Sequence, residues 1–249
     1  MCYPGRVRST SEVAAELIAA YDARSFVDRL TAADPGFDTD AAYDVLHHIE
    51  RDRHARGWQP VGRKIGFTNR TIWERYGVPG PMWARMWDRT VTFASDGAAA
   101  LSLLPFVQPR IEPEVVFKLA APISPGDTPE QVLARVEWIA AGFEIVQSHY
   151  PDWRFDGAES TAAFGLHGAL IVGPPVPVAR DDVAHLAETL ATFTATLSRD
   201  GSTVEQGTGA NVLGSPAAAL DYLARVLAGQ TRFEPLAAGE IITLSLIHI

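Results

Sequence analysis

Apolar positions in the first quarter of the chain recur at helical spacing. In TSEVAAELIAAYDAR, hydroxyl residues precede a stripe of Val13, Leu17, Ile18 and Tyr21, which predicts an amphipathic helix. The segment AAYDVLHHIERDR, following Asp40, turns Tyr43, Leu46 and Ile49 inward and its charges outward, and predicts a second helix ending near Gly57. From Trp58 the period shortens. PVGRKIGFTN is β-branched and bracketed by glycines, and RTVTFASDGAAALSLLPF predicts strands broken at Asp96-Gly97. In DTPEQVLARVEWIAAGFEIVQS, Thr128 is the cap, Pro129 takes the first helical position and Gln131 completes a capping box. This predicts a helix ended by Gly142 and a strand from Phe143 or Glu144. A buried strand, GALIVG, a glycine-rich turn, GTGANVLG, and a helix SPAAALDYLARVLA capped by Ser215 complete the pattern. Residues 1–57 thus form a helical segment packed on a β-rich body spanning 58–249.

Composition narrows the function classes. A chain of 249 residues with 47% hydrophobic content can bury a large core. Its net charge of -9, with 21 basic residues scattered, argues against nucleic acid, which requires a clustered cationic face. Cys2 is the single cysteine, so an internal disulfide or thiolate cluster is excluded and a reducing cytoplasm is expected. Apolar runs fall short of the roughly 20 residues that span a bilayer, and no membrane association is expected. An acidic protein that binds an anionic metabolite needs local positive charge, which a bound cation can supply.

The stretch QPRIEPEVVFKL carries the most informative chemistry. In a strand, residues i and i+2 share a face, so Glu112 and Glu114 project together with Val116 and Lys118, while Pro113, Val115, Phe117 and Leu119 form the other face. The simpler reading is an amphipathic edge strand with a solvated Glu-Glu-Lys face. Buried carboxylates that close would instead require a cation or a shared proton. Glu144, set among Phe143, Ile145 and Val146, is a third candidate oxygen ligand. Three carboxylates with water suit octahedral Mg²⁺ or Mn²⁺, whereas the seven histidines lack a zinc-ligand spacing.

Lys64 lies between Gly62 and Gly66, which permit close backbone approach to a ligand. Beside a metal it could steady a substrate carboxylate or exchange a proton; the alternative is a solvated strand lysine. His149 and His167 are candidate substrate contacts, against the simpler reading of hydrogen-bonded structural histidines. GTGANVLG lacks the spacing of a phosphate cradle and reads as a turn. YGVPGPMWARMW reads as core, with glycines and prolines that would also suit an apolar lid.

In order, GRKIGFTNR, YGVPGPMWARMWDRTV, RIEPEVVFKL, GFEIVQSHYPDWRF, GTGANVLGSPAAALDYLARVLA and LAAGEIIT resemble the fumarylacetoacetate hydrolase family, in its 2-keto-4-pentenoate hydratase and 2-oxo-3-hexenedioate (4-oxalocrotonate) decarboxylase branch. The resemblance spans about residues 41–243. It implies an α+β fold, a mixed β-roll with packed helices. It also implies Glu112, Glu114 and Glu144 as ligands of a divalent metal, normally Mg²⁺, and Lys64 as a substrate-contacting, proton-transferring residue. The implied activity is a Mg²⁺-dependent lyase that hydrates a 2-hydroxy-2,4-dienoate in aromatic catabolism, acting as a homo-oligomer on a small 2-oxo acid. The decarboxylase, an acylpyruvate-type C–C hydrolase and a non-catalytic metal- and 2-oxo-acid-binding homologue are the alternatives.

Departures from the branch cluster around the expected substrate. Met82 follows Pro81 where hydratases carry an aspartate, Ala163 to Leu166 replace an Asp-Asn-Ala-Ser stretch, and His149 replaces an arginine. After GEIIT the branch continues with a Thr-Gly-Thr-like turn and further strands, whereas here the chain reads Leu244, Ser245, Leu246, Ile247, His248, Ile249. Truncation at this end is expected, with an unpaired sheet edge as its result.

Overall fold

A computed structural model describes residues 8–246. Cys2 and the tail residues Ile247, His248 and Ile249 lie outside the described residues. The first helix, Thr10–Ala23, begins where the Ser9 hydroxyl accepts the Glu12 backbone N–H and the Glu12 carboxylate accepts the Ser9 N–H at 2.8 Å. The reciprocal cap satisfies two donors that the first turn leaves without partners. After a single turn at Leu30–Ala33, the second of the expected helices forms as Thr39–Ala55, capped by Asp38. Their stripes of Val13, Leu17, Leu46 and Ile49 are buried in the same core as Trp83 and Leu220 of the body.

One charge on the second helix departs from the expected pattern. Arg53 is 2% exposed. Its guanidinium lies over the rings of Tyr21 at 4.4 Å and Trp58 at 4.2 Å. Facing aromatic surfaces replace water around a weakly hydrated cation, which an ammonium would resist more strongly.

The body is built on strands β1 (Pro60–Gly66), β2 (Met82–Trp87), β3 (Val91–Phe93), β4 (Arg110–Leu119), β5 (Val136–Val146), β6 (His167–Val172), β7 (Val176–Pro177), β8 (Thr194–Arg199), β9 (Ser202–Thr208) and β10 (Ile241–Ser245). Among the described residues the main sheet runs β2-β1-β10-β4-β5-β6-β3, with β7 on β5, and β8 and β9 form a separate hairpin. Pairs β1–β10 and β3–β6 are parallel and the rest antiparallel, so the sheet is mixed, as expected for the roll. Helix Pro216–Ala228, capped by Ser215, buries Leu220 and Leu223 in the common core.

Several local expectations change. The capping box at Thr128 forms, but its helix is only Pro129–Leu133, and β5 runs unbroken through Gly142. Val136, Trp138 and Ile139 favour strand, and pairing along the length of β4 outweighs the helical start signal. Gly142 is required by packing, not by a helix end: a Cβ there would meet Val116 Cγ2 at 2.8 Å and the Ile171 carbonyl at 2.9 Å. Residues after the Asp96-Gly97 turn form no strand up to β4. Met82–Trp87 is a buried strand of the core, not a lid. The expected unpaired edge does not occur at Ile241–Ser245, since β10 lies inside the sheet, bonded to β1 on one side and β4 on the other.

Candidate metal centre and active-site pocket

The β4–β5 register sets Glu112 directly opposite Glu144, and Glu114 projects from the same face two residues along. All three are buried: Glu112 is 9%, Glu114 2% and Glu144 0% exposed. One oxygen from each lies within 4.8 Å of the others. The solvated-strand reading is thereby corrected. Side chains from neighbouring strands pack on this face, Lys64 from β1, His167 from β6 and Thr243 from β10, and Glu112 also meets a cavity.

The surrounding side chains hold these carboxylates in place. Thr243, on β10, donates its hydroxyl to Glu114 Oε2 at 2.6 Å. His167, at the start of β6, donates from Nδ1 to Glu144 Oε1 at 2.7 Å, and its Nε2 lies 2.8 Å from the Thr90 hydroxyl. Lys64 Nζ is 3.0 Å from Glu144 Oε2. Burial alone would weaken the Lys64 ammonium's hold on its proton, but Glu144, Glu112 and Glu114 outweigh it and raise the pKa. Burial, then the charges of Glu144 and Glu112, push Glu114 well above the usual carboxylate range. For Glu144, burial is outweighed by Lys64 and His167, which hold its pKa down.

These groups fit a divalent cation. Glu114 Oε1 is buried without a hydrogen-bond partner. Three carboxylates face one lysine, leaving a local excess of negative charge in a desolvated site. Hard oxygen donors of this kind suit Mg²⁺, Mn²⁺ or Ca²⁺.

A cavity of about 240 Å³ opens beside the cluster, lined by Lys64 and Glu112. Its walls are largely aromatic: Tyr76 stacks on Phe155 at 5.6 Å with an 18° tilt, and Phe67 and Trp153 extend the surface. Phe67, Trp153 and Leu166, all lining this cavity, have left-handed backbones, with φ of 55°, 57° and 61°. Such conformations cost about 1–3 kcal/mol each in non-glycine residues and gather at functional sites. Tight bonds fix them: Trp73 Nε1 donates to the Phe67 carbonyl at 2.7 Å, and the Gln147 N–H to the Leu166 carbonyl at 2.8 Å.

The fold thus gathers Glu112, Glu114, Glu144 and Lys64. His167 joins them indirectly, bonded to Glu144 and absent from the cavity wall, so it orients a carboxylate instead of meeting a ligand there. His149 goes elsewhere: its Nδ1 donates to the Ser25 carbonyl at 2.9 Å and its ring packs near Tyr21 and Phe164. Gly62 approaches not a ligand but the backbone of β10, where a Cβ would lie 1.7 Å from the Ile241 carbonyl. Thr243 and Thr90 escaped the sequence reading, since isolated threonines carry no spacing signal. Tyr76 and Phe155 could have been suspected only from their aromatic character.

Comparison with known proteins decides the lineage. The chain is 32% identical over 214 residues to 2-hydroxyhexa-2,4-dienoate hydratase of Comamonas testosteroni, covering 86% of this chain and 78% of that protein. It is 34% identical over 199 residues to a 4-oxalocrotonate decarboxylase of a Pseudomonas species, covering 80% and 70%. The chain belongs to the 2-keto-4-pentenoate hydratase and 4-oxalocrotonate decarboxylase branch of the fumarylacetoacetate hydrolase family. No family profile matches it. The solved 4-oxalocrotonate decarboxylase of Pseudomonas putida G7, complexed with magnesium and adipate, superposes with a TM-score of 0.84 at 26% identity, over 95% of this chain and 87% of that one. Met82 and Leu166 both line the cavity and present apolar side chains to it.

Proposed function

We propose that the chain is a Mg²⁺-dependent lyase that adds water to a 2-hydroxy-2,4-dienoate, with Glu112, Glu114 and Glu144 as the metal's protein ligands and Lys64 as the proton-transferring residue. The observation that carries this reading is the convergence of three buried carboxylates and one lysine at the base of a small aromatic-walled cavity. Mg²⁺ bound there would polarise the 2-oxygen and carboxylate of a 2-oxo acid and stabilise negative charge developing between them.

The chain's own residues supply the rest. The Tyr76 and Phe155 rings offer flat apolar surfaces against which a conjugated chain lies extended. Lys64 Nζ carries a proton at the cavity base and serves as the general acid toward the dienol carbon skeleton. His167 and Thr243 keep the carboxylates aimed inward.

Ultraviolet absorbance of 2-hydroxypenta-2,4-dienoate should fall on adding the protein with Mg²⁺ and stay constant after chelation. Absence of any metal-dependent loss rejects the hydratase. Decarboxylation is the second reading, favoured by similarity to the two decarboxylases. Release of CO₂ from 2-oxo-3-hexenedioate, without hydration of the dienoate, would select it.

A further inference from the structure

The antiparallel ladder between β4 and β5 begins at Arg110 opposite Val146, and beyond it a side chain takes over the pairing. Gln108, two residues ahead of Arg110, donates its Nε2 hydrogens to the carbonyls of Ser148 at 3.0 Å and Tyr150 at 2.9 Å. Its Oε1 accepts the Asp152 N–H at 3.0 Å, and its own carbonyl accepts the indole N–H of Trp153 at 3.1 Å. Gln108, Asp152 and Trp153 all have left-handed backbones, with φ of 49°, 56° and 57°. That conformation is costly outside glycine and persists only where the surroundings over-determine it. Here Gln108 makes four of the bonds that do so.

The set is chemically narrow. Two carbonyls and one N–H call for two donors and an acceptor on one group, which a neutral amide offers. Asparagine has that group on a shorter stem, and glutamate keeps the acceptor but turns an oxygen toward the two carbonyls. What the knot secures is Trp153, whose ring lines the cavity, packs 6.1 Å from Phe155 and lies 4.2 Å from the Arg110 guanidinium. Along the chain, Gln108 lies four residues ahead of Glu112 at the floor. It thus joins the strand that brings the carboxylates to the turn that brings the aromatic wall.

We infer that Gln108 is a positioning residue for ligand binding, acting through Trp153: it fixes how far the aromatic wall stands from the carboxylate floor, and so how firmly the carbon chain of a bound acid is held. The inference rests on the proposed binding of a 2-oxo acid head at the floor. Gln108 itself stays off the cavity wall. The carboxylates have their own supports in Thr243, His167 and Lys64, none of which Gln108 touches. Its removal should therefore cost ligand affinity and spare metal affinity.

Titration calorimetry with Mg²⁺, and with 2-oxopentanoate in the presence of Mg²⁺, reads both affinities in the intact protein, in Gln108→Met and in Gln108→Glu. Each variant should bind 2-oxopentanoate about tenfold more weakly, with Mg²⁺ affinity unchanged. A double-mutant cycle identifies the route. Trp153→Phe keeps an aromatic ring without the N–H, and in that background Gln108→Met should cost little more. In protein labelled with 5-fluorotryptophan, the six tryptophans give six fluorine resonances, and Trp153→Phe assigns the one in question. Gln108→Met should shift or broaden that line and leave the others in place. Binding by both Gln108 variants equal to that of the intact protein overturns the inference and leaves the floor reading standing, as do additive effects in the cycle. Failure of both variants to fold, or parallel loss of Mg²⁺ and acid affinity with every fluorine line displaced, makes Gln108 a residue of the general fold and overturns it too. Failure of the intact protein to bind 2-oxopentanoate in a Mg²⁺-dependent way overturns the floor reading and the inference with it.

Discussion

Glu112 and Glu144 face each other across an antiparallel strand pair, both buried and both acidic. Like charges in that position are destabilising in any sheet. Here Glu114 adds a third, and Lys64 answers only part of the excess. A cation held between the three carboxylates would offset this local cost.

Neutralising one member should therefore stabilise the metal-free protein. Glu114→Gln keeps the shape and removes a carboxylate that burial and its neighbours already disfavour. Thermal unfolding without metal at about pH 8 should show a gain on the order of 1 kcal/mol. Mg²⁺ should raise the Tm of the parent and leave that of this variant unchanged. A Mg²⁺ response equal to the parent's would remove Glu114 from the ligand set.

Lys64→Met keeps the length of the side chain and removes the proton. With saturating Mg²⁺, turnover should fall roughly 10²- to 10⁴-fold. Metal affinity, read by titration calorimetry, should not weaken, since a competing positive charge has gone. Loss of metal binding together with turnover would assign Lys64 to the architecture alone.

Thr243→Val removes the hydroxyl bonded to Glu114 while leaving volume nearly constant. Freed of that bond, the carboxylate loses its aim, and Mg²⁺ affinity should drop about 10- to 100-fold. Manganese titration followed by electron paramagnetic resonance gives the same comparison on a visible ion. Equal affinities would make the bond incidental.

Gly142→Ala should destabilise the fold without touching a charged group. The added methyl meets Val116 and the Ile171 carbonyl. Overpacking of this kind costs about 1–3 kcal/mol, measurable as a lower urea midpoint at unchanged slope. A neutral result would show that β5 and β6 can part easily.

His149 governs an acid-sensitive contact. Burial lowers its pKa below the ordinary 6.5, against a smaller raising effect of the Ser25 carbonyl. Its Nε2 is buried without a hydrogen-bond partner, so a proton added there is unsatisfied. As pH falls below the unfolded value, unfolded chains bind that proton first; stability is full above that value and is lost as pH drops toward the folded one. The urea midpoint should decline as pH falls below about 6.5, and less steeply in His149→Gln.

The sequence made the roll legible where local signals agreed with the tertiary context. Both N-terminal helices carry their own caps, and Glu112 and Glu114 share a face because strand geometry leaves no alternative. It misled where a short-range signal met a stronger long-range one. The Thr128 cap starts a helix that pairing with β4 then ends. The burial of the acidic face was hidden because the side chains packed on it, Lys64, His167 and Thr243, come from segments far apart in the chain. His149 and His167 looked alike in sequence, and only the fold separates the one bonded to Ser25 from the one bonded to Glu144.

The insertion of β10 between β1 and β4 also sets a timetable. Lys64 emerges from the ribosome long before Thr243, its neighbour across the β1–β10 pair, and β4 waits almost as long for its own flank. Until the segment Ile241–Ser245 arrives, the two halves of the sheet present raw edges to one another, and the acidic groove stands open to water. Contacts so far apart in sequence form slowly. A nascent chain stalled short of this segment should be the species that chaperones hold and proteases clear, and a ligand of the finished site would come too late to rescue it.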